Sequence, residues 1–149
     1  MAGGSAAGPS DFMTSPLERV VYRSDAVARS EGPVDLSAIV TTSVRNNANS
    51  RLTGALALHD GIFVQVLEGG PDALSALMDV ISADERHRNV RLLARWPIQS
   101  QLFLGWAMVQ VDTRTLSHHA AKVVVQTGSG AQVTGVLADL ANARLTSLI

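Results

Sequence analysis

Three observations predict an α+β fold: a mixed sheet in ferredoxin-like βαββαβ order with a fifth strand added, two helices on one face and C-terminal helices on the other. The first is the pair of apolar runs around His59-Asp60-Gly61, since Asp-Gly between such runs supplies the left-handed turn of a tight hairpin. The second is the order of hydrophobic periods along the chain, which reads strand, helix, strand, strand, helix, strand, strand. The third is the second hairpin strand, where Phe63, Gln65 and Leu67 alternate with Ile62, Val64 and Val66. Both of its faces are apolar, so both need cover.

Residues 1–16 are rich in Gly, Ala, Ser and Pro, carry no apolar period and read as a flexible tail. Met13 offers an alternative start that would leave the lead-in outside the natural chain. The domain proper runs from residue 17 to 111, and residues 112–149 form a helical extension. Arg19 to Arg23 is the first strand, with Val20 and Tyr22 on one face and Val21 and Arg23 on the other; Ser24 to Pro33 is loop. From Asp35 a helix is predicted because Leu36, Ile39, Val40 and Val44 recur with the 3.6-residue period. Continuing that period by seven places Asn46 and Asn47 on or beside the inward stripe, unless one of them merely caps the helix in a left-handed conformation.

After the hairpin, Gly70-Pro71-Asp72 opens the second helix: Pro suits its first position and Asp its positive end. Leu74, Leu77, Met78 and Ile81 share one side of it. A polar turn over Asp84 to Asn89 follows, then a strand in which Val90, Leu92, Ala94 and Trp96 share a face opposite Arg91 and Arg95. Pro97 to Leu102 is expected to be loop, and a fifth strand to run from about Phe103 to Val111 with Trp106 and Met108 on one face. Leu116, Ala120, Val123 and Val124, then Val133, Val136, Leu137, Leu140 and Leu148, have helical spacing, with Gly128-Ser129-Gly130 between the two sets. These helices would cover the remaining sheet face, and a second subunit would cover whatever they leave.

A chain of 149 residues, 46% hydrophobic and 17% charged, is one domain's worth of globular protein. A net charge of −1, without clustered Lys and Arg, argues against a nucleic-acid surface. The absence of cysteine excludes disulfides, thiolate metal sites and cysteine nucleophiles. No apolar run approaches the ~20 residues of a membrane span, and no secretory leader is evident, so a cytoplasmic location is expected. His118 and His119 are adjacent and would diverge on a helix, while His59 and His87 lie in turns without a second ligand at metal spacing. No Ser-His-acid set or carboxylate pair stands out. What remains is a polar group on an otherwise apolar, helix-facing side: Tyr22, Asn46, Asn47 and Gln65. Together they suggest a planar polar ligand between the helices, with Gln65 able to donate and accept and Tyr22 a neutral donor at pH 7.

These residues fall in segments that resemble the BLUF domains, blue-light sensors that use flavin. The segments are VVYRS (Val20 to Ser24), RNNANSRLTGAL (Arg45 to Leu56), DGIFVQVLEG (Asp60 to Gly69), DERHRNV (Asp84 to Val90), Pro97-Ile98, and Phe103, Trp106 and Met108 in F-x-x-W-x-M. The resemblance covers roughly Leu17 to Val111. It implies a flavin, FAD or in its place FMN, between the two helices, with the ring edge facing Gln65 and Tyr22. Asn46 and Asn47 would bond the ring's carbonyl and imide edge; Ile39, Phe63 and Ile81 would wall it. Ser24, Met108, Arg86 and His87 would complete the contacts, the last two near the ring or the ribityl-phosphate tail. The implied mechanism has Tyr22 give up an electron and a proton under blue light while Gln65 rotates or tautomerises, with Trp106 and Met108 exchanging places near it.

The expected function is therefore a stand-alone light switch and not an enzyme. Its fifth strand would signal through the C-terminal helices to a downstream signalling protein, in a homodimer or higher oligomer, with neither nucleic acid nor membrane as partner. Two alternatives stay open, a flavin-free ferredoxin-like dimerisation module and a small flavin-dependent reductase. A yellow preparation would separate the first of these from the light switch.

Overall fold

The computed structural model describes residues 16–27 and 50–147, with side chains to residue 143. The tail, the helix expected from Asp35 with Ile39, Asn46 and Asn47, and Leu148 lie outside the described residues. Strand β1 spans Leu17–Ala26, longer than expected at both ends. The hairpin is β2 (Thr53–His59) and β3 (Ile62–Gly69), followed by α1 (Pro71–Ala83) and β4 (His87–Ile98). Next come β5 (Val109–Gln110), α2 (His118–Lys122), a π-helical segment (Val123–Thr127) and α3 (Gly130–Ser147).

The sheet order is β4-β1-β3-β2-β5, antiparallel except for the parallel pair β2 and β5. That is the expected ferredoxin-like sandwich with its additional strand. The hairpin turns as the Asp-Gly pair demands, with Asp60 at φ 50° and Gly61 at φ 76°. Helix α1 starts at Pro71, directly after its cap Gly70, and sinks Leu74 and Ile81 towards the sheet.

Two apolar clusters lie on opposite faces. Val20, Tyr22, Phe63 and Leu67 join Leu74 and Ile81 of α1 on one. Val21, Val64 and Val66 meet Val124, Val133, Leu137 and Ala141 of the C-terminal layer on the other. Thus the alternation in β1 and β3 is as expected, and so is the cover on the second face. Among the described residues no helix is long and apolar enough to cross a membrane, and no group of three or more His, Asp or Glu could hold a metal ion.

Four expectations need correction. Ser24 lies within β1 and not in a loop, paired opposite Phe63. Strand β4 begins at His87, so the polar turn is shorter than Asp84 to Asn89, and it continues through Pro97 and Ile98. Proline is accommodated there because β4 is an edge strand, where one side of the backbone needs no ladder partner. Within β4 the register against β1 slips between Val21 and Tyr22, where Val21 faces Ala94 and Tyr22 faces Leu92. The extra residue, Leu93, makes a bulge that turns one half of the strand over relative to the other. Val90 therefore packs with Tyr22's cluster while Leu93 and Trp96 pack on the C-terminal side, and Leu92 is left 57% exposed.

The fourth correction concerns the fifth strand, which is only two residues long. Residues 99–108 form an irregular crossing with a turn closed by Trp106 N–H donating to the Phe103 carbonyl (3.0 Å), and Gly105 sits at φ 97°. Spacing by two shares a face only in an extended strand. Trp106 accordingly packs against the C-terminal cluster, whereas Met108 joins the cluster of Tyr22 on the opposite face.

Candidate functional site

Tyr22 and Gln65 are directly opposite one another in the β1–β3 ladder, which brings phenol and carboxamide together on the α1 side of the sheet. Tyr22 is fully buried and Gln65 nearly so. The Tyr22 hydroxyl donates to Gln65 Oε1, and Gln65 Nε2 donates in turn to Met108 Sδ at 3.5 Å. With Oε1 accepting from the phenol, the amide orientation is set, and its N–H side is turned to a sulfur, which is a weak acceptor. Burial, reinforced by the negative charge of Asp84, pushes the Tyr22 phenol well above its ordinary pKa. The phenol therefore stays protonated and neutral.

His87, the first residue of β4, lies over the same place. Its ring is 4.8 Å from Phe63 between centroids and meets Tyr22 edge-on at 6.2 Å. Its Nδ1 shares a 2.7 Å hydrogen bond with Ser24 Oγ. Burial pulls the imidazole below its ordinary pKa, Arg86 pulls the same way, and Asp84 opposes them less strongly than burial acts. Neutral imidazole is the favoured form at neutral pH.

Ile81 of α1 is buried in the same cluster, so Tyr22, Ser24, Phe63, Gln65, Ile81, His87 and Met108 are brought together. Arg86 is not among them. Its guanidinium engages Asp84, with Nη2 to Oδ2 at 2.6 Å and Nε to both oxygens at 3.0 Å, and so closes the turn from α1 into β4. That pairing holds the Asp84 carboxyl below its usual pKa and keeps its charge near Tyr22. Trp106 is across the sheet, as described.

Three charged residues that sequence reasoning passed over lie behind this site, on the opposite face of the sheet. Glu68, fully buried on the opposite face of β3, accepts from Arg19 Nε (3.0 Å) and Nη2 (2.8 Å), from Thr53 Oγ1 (3.0 Å), and from the backbone N–H groups of Leu102 (2.9 Å) and Phe103 (3.0 Å). It thereby pins the crossing that delivers Met108 to Gln65. Arg19 also stacks over Trp96 at 5.5 Å. Arg23, on the same face, donates to carbonyls of the π-helical segment. A signal for all three was available: alternation places Glu68 with Val64 and Val66, and Arg19 and Arg23 with Val21, so each is an ionisable group in an apolar stripe.

The chemistry of these donors fits an oxidised flavin ring. They comprise a neutral phenol, a neutral imidazole, and an amide N–H whose acceptor is only a thioether, among the apolar side chains Phe63 and Ile81. A flat heteroaromatic ring with carbonyl and imine acceptors is what such an amide can bond better than sulfur.

The comparisons agree. The family model described as sensors of blue-light using FAD matches residues 17–109. The photoactivated adenylate cyclase subunit beta of Euglena longa is 41% identical over 114 residues, which are 74% of this chain and 13% of that protein. The chain thus spans only a small part of the length of that curated relative. Among solved structures, the dark state of the BLUF protein BlrB superposes with a TM-score of 0.66 at 26% identity, over 88% of this chain and 98% of that one. Klebsiella pneumoniae BlrP1 with FMN and cyclic diGMP gives 0.63 at 33% identity, over 76% of this chain and 30% of that one. Since the matched span takes in the sheet from Leu17 to Val109, the chain belongs to the BLUF family, the flavin-binding sensors of blue light.

Proposed function

We propose that the protein is a blue-light switch that turns nothing over, with Tyr22 and Gln65 as its photoactive pair and FAD as its chromophore. FMN, the flavin of the BlrP1 structure, would serve the same residues. The observation that carries this reading is the buried relay from the Tyr22 hydroxyl through Gln65 to Met108 Sδ. When bound, the flavin supplies absorption of blue light and, once excited, a strong pull on one electron.

Tyr22 is the residue to answer that pull, since a phenol is readily oxidised and an oxidised phenol is strongly acidic. With a flavin bound, Tyr22 would give up an electron and then the hydroxyl proton it shares with Gln65. The hydrogen bond from Tyr22 to Gln65 Oε1 is then lost, and the carboxamide is free to rotate or tautomerise. Tyr22 would recover both on charge recombination, so no redox equivalent would be consumed. What would persist is a changed amide, with Gln65 free to donate to the bound ring and its contact to Met108 disturbed.

Asn46 and Asn47 are assigned to the polar edge of the ring, Ile39, Phe63 and Ile81 to its walls. Ser24 is assigned to the ring, and Arg86 and His87 to the ring or the ribityl-phosphate tail. Trp106 enters the cycle only by displacing Met108 across the crossing. The output is a downstream signalling protein in the cytoplasm, bound through the C-terminal helical layer of a homo-oligomer.

Gln65→Leu puts an apolar side chain of similar length in the site and offers no donor or acceptor. It is expected to bind flavin and to give no red-shifted product in light-minus-dark absorption spectra. A normal, reversible shift in this variant would remove the glutamine from the mechanism.

A further inference from the structure

We propose that Arg23 is the positioning residue that carries the change at Tyr22 and Gln65 into the C-terminal helical layer; this rests on the photoreceptor reading above. The side chain follows Tyr22 by one residue and points to the opposite face of the sheet. It is 6% exposed, and its fork is spent on four backbone carbonyls along the π-helical segment and just past it. Nε donates to Val124 O at 2.9 Å and Nη1 to Gln126 O at 3.1 Å. Nη2 donates to Val123 O at 2.9 Å and to Gly128 O at 3.1 Å.

A helix that stops leaves its last carbonyls without N–H partners. Here the chain leaves helical geometry at Gly128, whose φ of −73° and ψ of 147° are extended, and its N–H closes the segment onto Val123 O at 2.9 Å. Val123 O is thus engaged from within the helical layer, whereas Val124 O and Gln126 O take their donors, Nε and Nη1 of Arg23, from a strand. Gly128 is tightly placed in this arrangement, for a Cβ there would stand 2.5 Å from Val123 O and 2.7 Å from Val123 Cγ1. One guanidinium therefore ties the π-helical segment and Gly128, two residues before α3, to β1.

A second feature gives the tie a means of moving. Against β4 the register of β1 breaks between Val21 and Tyr22 and again between Arg23 and Asp25. Tyr22 and Arg23 are the pair bracketed by those two breaks. A regular ladder would resist displacement of either residue; an interrupted one resists it less. A change in the hydrogen bond between Tyr22 and Gln65 thus bears on a short length of strand whose other face grips the helical layer. Lysine could not replace the grip, because a compact ammonium cannot span four carbonyls in a planar fork.

The test measures amide hydrogen exchange over residues 123–130 in the full chain loaded with FAD, in darkness and under continuous blue light. Absorption spectra are taken on the same samples. Arg23→Lys breaks the tie from the strand side, and Gly128→Ala breaks it from the helix side with Arg23 intact, so one variant serves if the other does not fold. The expected result is a light-minus-dark change in exchange in the parent that is lost in the variants, while the red shift stays at parental size. A merely structural cap would alter exchange equally in dark and light.

The proposal is overturned if a folded variant keeps the light-dependent change, if the parent shifts to the red without any such change, or if a variant loses the red shift along with it. A parent that binds FAD and shows no red shift would instead overturn the photoreceptor reading itself.

Discussion

Tyr22→Phe is expected to bind flavin as the parent does and to show no light-induced red shift. The chain has one tyrosine, so no second phenol can take over the electron transfer. Phenylalanine retains the ring that fills the fully buried position beside His87, and packing should survive. What is lost is the hydroxyl that donates to Gln65 Oε1. Leaving that buried carbonyl without its donor costs about 1–3 kcal/mol of stability, a tolerable loss for most domains. The loss of photochemistry should be complete. Flavin content after purification and light-minus-dark spectra check both halves, and a variant with a normal, stable shift would remove Tyr22 from its role.

Glu68→Ala should be the most damaging single change to the fold. The carboxylate serves Arg19, Thr53 and two backbone N–H groups, all from a position with no solvent access. Its removal leaves the nearly buried Arg19 guanidinium without its counter-charge and two amides without acceptors. Breaking a buried pair from one side costs about 3–5 kcal/mol, a large share of the 5–15 kcal/mol that holds a typical domain together. Urea unfolding of parent and variant measures it. A loss below about 1 kcal/mol would contradict the assignment of Glu68 as the pin of the 99–108 crossing. Any folded fraction should also hold Met108 less firmly against Gln65, because that crossing is what delivers it.

What could be read from the sequence, and what could not, divides along the range of the interactions involved. The hairpin was legible because Asp60 and Gly61 fix their own backbone, and helix α1 because Pro71 and the Leu74 to Ile81 period are local signals. The meeting of Tyr22 and Gln65 followed from alternation in two strands plus the resemblance that set them side by side.

The bulge at Leu93 left no local mark. Val90, Leu92, Ala94 and Trp96 keep their spacing in the chain even though the slip in register puts them on different faces. Residues 103–108 carry the composition of a strand, yet Glu68 and the Gly54 N–H, which donates to Trp106 O at 3.2 Å, hold them in a crossing. Those partners are distant in sequence, so no window could reveal them. The same holds for Arg23, whose acceptors lie about a hundred residues further on.

For light sensing, one flavin must be touched by Tyr22 and Gln65 together. The direct measurement is the absorption spectrum of the FAD-loaded chain before, during and after blue illumination. A small red shift of the oxidised flavin band that appears in light and reverses fully in darkness is the predicted result. Illumination that bleaches the bound flavin, or leaves its band unmoved, would contradict it.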